Sequence, residues 1–471
     1  MEPNTSKNLP PGPPKLPIIG NLLQVKSLTP YRILRDLARQ YGPIMHLRLG
    51  QLPTVVISTP RLAQEIMNAS VSSIADRPVT TTSQIFYYKA QDIGFSLYGP
   101  YWVQMRKICA SELLTAERVR SYGYLQAEEL ENMHKSLESL AGTVIDFRQI
   151  MTQTVNNVIC RATLGDNYKD QKELIELLNE MMNGLGDMDV VSYFPSLQFL
   201  NGISGKKGKW LKTHKQLDII LDDILEEHKN RKGQSRDHEA LLDVLLRVKE
   251  AGDLDVPITN VNIKAVALDM LIAGMGTPTS VIEWAMSELM RNPEIMKKLQ
   301  AEVRAVVKGK TVTDTEIQSM HYLKLVIKET LRLYSPPLLA PRVSKKDCNI
   351  DGYDIPANTN ILINVWACQT DPDSWENPDS FIPERFENST LNYMGSDFQF
   401  IPFGAGRRIC PGIPFGLNMV EHVVVNFLYH FDWKLPNGLK PQELDMTEVY
   451  GANKLPKNPL QIVPISKLLE N

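Results

Sequence analysis

The run Phe403-Gly404-Ala405-Gly406-Arg407-Arg408-Ile409-Cys410-Pro411-Gly412 presents one cysteine on a glycine-rich bend, with two arginines just before it and a proline just after. Glycine permits tight turns and lets backbone N–H groups approach a sulfur closely. Nearby cations favour a thiolate over a thiol, and Arg407 and Arg408 are placed to act in that way. Residues Phe415 to Phe431 read as a helix whose N-terminal dipole favours the same charge. No second cysteine lies close in sequence, which excludes a Cys-x-x-Cys zinc site. Cys410 is then either a nucleophile, for which no histidine and acid stand nearby, or a lone thiolate ligand of a cofactor metal.

The rest of the chain has an ordinary globular composition. Its 471 residues are 43% hydrophobic and 22% charged, with a formal net charge of -3. That excludes a disordered chain and gives no sign of a nucleic-acid partner. Cys109, Cys160, Cys348 and Cys368 are widely scattered and read as small buried hydrophobes in a reducing compartment. No run approaches the ~18 apolar residues of a membrane span. The chain opens polar over Met1 to Asn8 and then reads Leu9-Pro10-Pro11-Gly12-Pro13-Pro14-Lys15-Leu16-Pro17, a stiff spacer. A spacer with so little before it reads as a hinge over residues 1–22, left after loss of a membrane anchor. A soluble protein with a proline-rich start is the plainer alternative.

Periodicity predicts a β-hairpin over about residues 44 to 60, turned at Gly50-Gln51, and helices through most of the chain beyond Pro60. Helices are expected over 122–141, 171–187, 208–229, 260–290, 293–307 and 313–334. The fourth is unusually apolar between Asp269 and Glu283 and is expected to cross the core. Lys229 to Asp237 reads as an exposed loop, and strand signals return at 339–365 and in the last 25 residues. One large, mainly α domain with small β sheets is the simplest account.

Phe403–Gly412 matches the Phe-x-x-Gly-x-Arg-x-Cys-x-Gly motif of the cytochrome P450 family, and the chain resembles a plant microsomal member. Glu329-Thr330-Leu331-Arg332 matches the family's Glu-x-x-Arg helix, Pro383-Glu384-Arg385-Phe386 its Pro-Glu-Arg-Phe segment, and the proline-rich start its hinge. The resemblance implies the P450 fold over a single domain, 23–471. It implies haem b, with Cys410 as the thiolate ligand of the iron and Trp102, Arg106, Arg342 and Arg408 at the propionates. Glu329, Arg332 and Arg385 are expected to be structural, and Lys107 to face solvent. Phe86, Phe95, Leu97, Ala273, Leu338, Leu339, Ala340 and the Glu448-Val449-Tyr450-Gly451 turn are expected around a lipophilic substrate. Each apolar member also has a reading as ordinary core.

One segment departs from the family pattern. Ala273-Gly274-Met275-Gly276-Thr277-Pro278-Thr279-Ser280 keeps Thr277, expected to be catalytic, but has Gly276 where the family has an acid. Pro278 lacks an N–H and is expected to open the helix. A widened kink with ordered water in place of the carboxylate is one expectation. Weakened proton delivery, favouring desaturation, cyclisation or coupling without oxygen insertion, is another. Val103 and Thr370 stand where relatives carry arginine, with an expected change in surface or haem-edge charge.

The chain has no Gly-x-Gly-x-x-Gly fingerprint after the cysteine segment, so electrons are expected from a separate NADPH–cytochrome P450 reductase. The resemblance implies a monomeric monooxygenase on the cytosolic face of the endoplasmic reticulum membrane. Its expected substrate is a plant terpenoid or alkaloid, ahead of flavonoids and other phenolics. A reductase-independent haem-thiolate isomerase or dehydratase, and a non-enzymatic haem sensor, are the other classes.

Overall fold

The computed structural model describes residues 8–68, 74–165, 171–186, 190–197, 205–230, 239–309, 311–336, 338–451 and 453–467. Helix α1 (Pro30–Tyr41) leads into strands β1 (Ile44–Leu49) and β2 (Leu52–Ile57), the predicted hairpin. It turns at Gly50, whose φ of +60° suits glycine. The helices that carry the site are α2 (Pro100–Ile108), α3 (Phe147–Leu164), α4 (Gln171–Gly186), α5 (Asn260–Arg291), α6 (His321–Tyr334) and α7 (Ile413–His430). Strands β3 (Leu339–Val343) and β4 (Asn360–Asn364) extend the hairpin into a sheet ordered β1-β2-β4-β3, in which β2 and β4 run parallel. A late hairpin pairs β5 (Glu448–Tyr450) with β6 (Lys454–Pro456).

Helix α5 is the axis of the core, packed on α3, α6 and α7. Thr259 caps it, accepting from Asn262 N–H while Asn262 Oδ1 accepts the Thr259 N–H at 2.7 Å. By length and a mean hydropathy of 1.5 this helix passes as a membrane span, which corrects the expectation that no stretch approaches one. Yet 61% of that window is buried inside the protein, so the apolar run serves the core.

Three other expectations change. The helix expected over 313–334 breaks at Met320, giving Asp314–Ser319 and then α6. The cause is tertiary: the Glu302 carboxylate accepts the N–H groups of His321, Tyr322 and Leu323 at 2.7–2.8 Å and so caps a second helix there. Helix α5 stays helical through Pro278 instead of opening. Pro278, Thr279 and Ser280 are buried in the core, and Thr277 and Thr279 each donate a hydroxyl to a carbonyl one turn back, Ala273 and Met275, both at 2.7 Å. Cys348 lies half-exposed on a short strand, whereas Cys109, Cys160 and Cys368 are buried as expected. The loop read over 229–237 falls largely on residues 231–238, which lie outside the described residues.

Candidate active site

Cys410 stands two residues before the Gly412 N-cap of α7. Its N–H donates to Phe403 O at 2.9 Å, closing the bend. Gly404 and Gly406 take φ values of +74° and +64°, and a Cβ on Gly406 would run into the Met67 carbonyl. Burial pushes the thiol of Cys410 up, opposed by the Gly412 N–H and then by Arg106 and Arg77. Arg407 and Arg408, which the sequence suggested for this role, are engaged elsewhere. Arg407 points outward, where it donates to Tyr98 Oη at 2.5 Å. Arg408 is spent on the carbonyls of Ala75 at 2.9 Å and Ser96 at 2.6 Å.

Trp102 and Arg106 do meet on one side of α2, at the cysteine bend. Arg106 donates to Ile409 O, and the Arg408 guanidinium lies 4.4 Å from the centre of the Trp102 ring. Trp102 Nε1 donates to Ile93 O at 3.0 Å, which fixes the ring through the backbone. Arg342, at the end of β3, is nearly buried, and among the described residues its guanidinium donates only to Pro341 O, at 2.8 Å. Burial, then Arg77 and Arg408, hold the Arg342 guanidinium down to about 9. Arg408 falls to about 10 through burial and Arg77, with Asp76 opposing. Arg77, absent from the sequence expectations, has a buried Nε with no partner among the described residues. Converging cations with one unmet donor fit an anionic group bearing more than one carboxylate. The donor set therefore suits haem propionates.

On the other side, Ala273 is exposed on α5, and Thr277 is the one hydroxyl of the Thr277-Thr279-Ser280 set that is not buried. A Cβ on Gly276 would meet the side chains of Asn453 and Met182. Asp269 Oδ2 accepts the N–H groups of Ile93 at 3.1 Å and Gly94 at 3.0 Å, tying the loop before α2 to α5. Asp92 faces it across Gly94, and burial plus Asp269 push its carboxyl up.

The expected substrate contacts divide. Leu97 is 53% exposed, and Phe95, Leu339, Ala340, Val449 and Tyr450 are half-buried. Phe86 and Leu338 have no exposed surface: Phe86 belongs to the main core, and Leu338 packs with Tyr31 and Trp366. Both are corrected to core residues, because a cavity wall must show surface to the cavity. Glu448 is corrected as well. Its carboxylate holds Arg32 at 2.9 and 3.0 Å, Lys454 at 2.8 Å and the Tyr31 hydroxyl, and so anchors the late hairpin. Thr370 is fully buried, its hydroxyl on Trp366 O at 2.8 Å, and changes no surface charge; Val103 and Lys107 are exposed.

Glu329, Arg332 and Arg385 form the expected network. Glu329 takes Arg332 at 2.7 and 2.9 Å and Arg385 Nε at 2.9 Å. The resemblance implies that this network locks the cysteine bend, and the route through Gln369 was not foreseen. Arg332 Nη1 donates to Gln369 O at 3.1 Å, and Gln369 Oε1 accepts the Ile401 N–H at 3.0 Å, two residues before Phe403. A glutamine inside an apolar segment gives no signal in sequence until its partners are known.

A family sequence model described as Cytochrome P450 matches residues 10–462. A costunolide synthase of Cichorium intybus is 63% identical over 466 residues, covering 99% of this chain and 94% of that protein. A germacrene A acid 8-beta-hydroxylase of Inula hupehensis is 59% identical over 98% of this chain and 93% of its own length. Among solved structures, a zebra fish cytochrome P450 with progesterone superimposes with a TM-score of 0.81 at 24% identity, covering 93% of this chain and 99% of its own. At that identity the likeness bears on the fold alone.

Proposed function

This chain belongs to the cytochrome P450 family, and from that premise we propose that it oxidises a plant sesquiterpenoid, with Cys410 as the ligand of the haem iron. The enzyme is a haem-thiolate monooxygenase that takes electrons from NADPH through a separate reductase and acts on a small lipophilic molecule. The 63% identity to a costunolide synthase carries the substrate class. Support for the propionate site comes from Arg77, Arg106, Arg342 and Arg408, with Trp102 bracing Arg408. When bound, a thiolate-ligated haem supplies oxygen activation and transfer.

The protein's own residues do the rest. Phe95, Leu97, Ala273, Leu339, Val449 and Tyr450 give a mostly apolar wall that orients a lipophilic substrate and excludes water. Thr277 holds a hydroxyl proton beside Ala273, where it can be presented to the reacting side. The Glu329 network and Gln369 hold the bend that carries Cys410. Residues 23–471 act as one haem-thiolate domain, a monomer, with the proline-rich stretch within 1–22 as its hinge. We further place the enzyme at the endoplasmic reticulum membrane. Exposed apolar residues along the N-terminal segment support this, with Leu16 at 47%, Ile18 at 79%, Leu23 at 62% and Leu28 at 54%.

Two measurements test the proposal. Reduced protein with carbon monoxide is expected to give the thiolate-haem absorbance band, and Cys410→Ser to lose it. Purified enzyme with reductase, NADPH and oxygen is expected to convert germacrene A acid. Turnover that persists without NADPH or oxygen would point to isomerase or dehydratase chemistry and overturn the monooxygenase reading.

A further inference from the structure

Gly276 and Ser280 lie one turn apart on the face of α5 that meets the late hairpin. That hairpin is fixed there by the residue after Asn453. Lys454 O accepts from Ser280 Oγ and from Trp284 Nε1, the latter at 3.0 Å. Lys454 Nζ, fully buried, reaches Leu333 O at 3.0 Å and Glu448 at 2.8 Å. The backbone next to these anchors delivers the Asn453 side chain to Gly276. A Cβ on residue 276 would collide with Asn453 Nδ2 and come within 3.1 Å of both Met182 Cε and Sδ. Glycine at 276 is therefore the counterpart of asparagine at 453.

The carboxamide of Asn453 is half-buried, and among the described residues its Nδ2 is poorly satisfied. Nδ2 has the Met182 thioether at 3.8 Å, a weak acceptor. Its neighbours on this side are Gly276 and the Met182 thioether, and the next residue of α5, Thr277, has its hydroxyl engaged with Ala273 O. A single under-satisfied donor on an apolar wall selects a ligand that brings an oxygen to that point.

We propose that Asn453, its carboxamide seated in the room that glycine at 276 provides, is a specificity-determining contact, donating from Nδ2 to an oxygen already present on the bound sesquiterpenoid. This rests on the sesquiterpenoid reading above and narrows it to oxygenated members of the class, carboxylic acids first. The donor fits an acceptor oxygen, and the parent hydrocarbon offers none.

Spectral titration of the holoenzyme with germacrene A acid and with the hydrocarbon germacrene A tests this. Asn453→Leu is expected to weaken the acid about five- to tenfold, the effect of one hydrogen bond, and to leave the hydrocarbon within about twofold. Gly276→Ala, which pushes the carboxamide aside, is expected to do the same. Loss of both ligands together, or an acid affinity within about twofold of wild type, overturns the inference while leaving the sesquiterpenoid reading intact. A wild-type enzyme that binds neither ligand overturns both. The packing premise has a separate readout in apoprotein melting. Gly276→Ala is expected to lower the midpoint, and Asn453→Gly in the same chain to restore it; a midpoint unaffected by Gly276→Ala contradicts the collision and overturns the pairing.

Discussion

Arg77, Arg106, Arg342 and Arg408 repel one another in the protein alone, and burial has already lowered Arg342 to about 9 and Arg408 to about 10. An arrangement of this kind is a cost to the apoprotein that an anionic cofactor offsets. The two states should then respond to one substitution with opposite signs. Arg77→Met, which keeps much of the length and removes the charge, is expected to raise the apoprotein melting midpoint or leave it unchanged. In the same variant haem should dissociate several-fold faster, as measured by transfer to apomyoglobin. A fall in both would mean that Arg77 is held by ordinary packing. At Gly406 the constraint is backbone geometry. Alanine at φ +64° against the Met67 carbonyl should cost about 2 kcal/mol or more in denaturant unfolding and lower haem content. Thr277→Ala should keep haem while raising peroxide formed per NADPH consumed, since the hydroxyl serves proton handling rather than cofactor binding.

At the scale of elements, the late hairpin and the cysteine bend are held by buried polar groups. Glu448 is depressed to about 2 against an ordinary value of 4.5 by Lys454 and Arg32, which outweigh its burial. Its stabilising contribution is present above about pH 4.5 and is lost as pH falls toward 2. By linkage the shift is worth at most about 3 kcal/mol. Burial holds Lys454 down to about 8, so the lysine gains little and the depression of Glu448 reflects several partners. Melting midpoints between pH 5 and 3 should fall less steeply in Glu448→Gln than in wild type; parallel curves would remove Glu448 from the acid transition. Gln369→Leu strips the Ile401 N–H of its acceptor and should cost about 1–3 kcal/mol, with loss of haem before global unfolding. Equal midpoints for haem loss and unfolding in that variant would show that Gln369 does not serve the bend in particular.

For the whole molecule, Leu9, Leu16, Ile18, Leu23 and Leu28 are exposed along one short N-terminal segment, which folds back on the first sheet through Asn21 N–H to Arg48 O at 2.6 Å. Ile18 is 79% exposed at a φ of +65°, an unfavourable conformation for a β-branched side chain and one that turns it outward. Ile18→Glu with Leu23→Glu should reduce co-flotation with phospholipid vesicles several-fold while leaving the carbon monoxide spectrum unchanged. Flotation equal to wild type would place the membrane contact elsewhere.

What the sequence determined by itself was everything local. Helix period, the Gly50 hairpin, and the Phe403–Gly412 bend with its single cysteine were legible because each depends on neighbours within a few residues. The ion pair of Glu329 with Arg332, one turn apart, was legible for the same reason. Tertiary structure alone decided the rest. Glu302 splits a predicted helix at Met320, and packing keeps α5 helical through Pro278. Burial takes Phe86 and Leu338 out of the cavity wall, and Glu448 leaves the substrate turn to become an anchor. Arg77, Gln369 and Asn453 matter because segments far apart in the chain converge on them. Their significance is a matter of which polar atoms folding brings together and which it leaves unmet, and no local period encodes that.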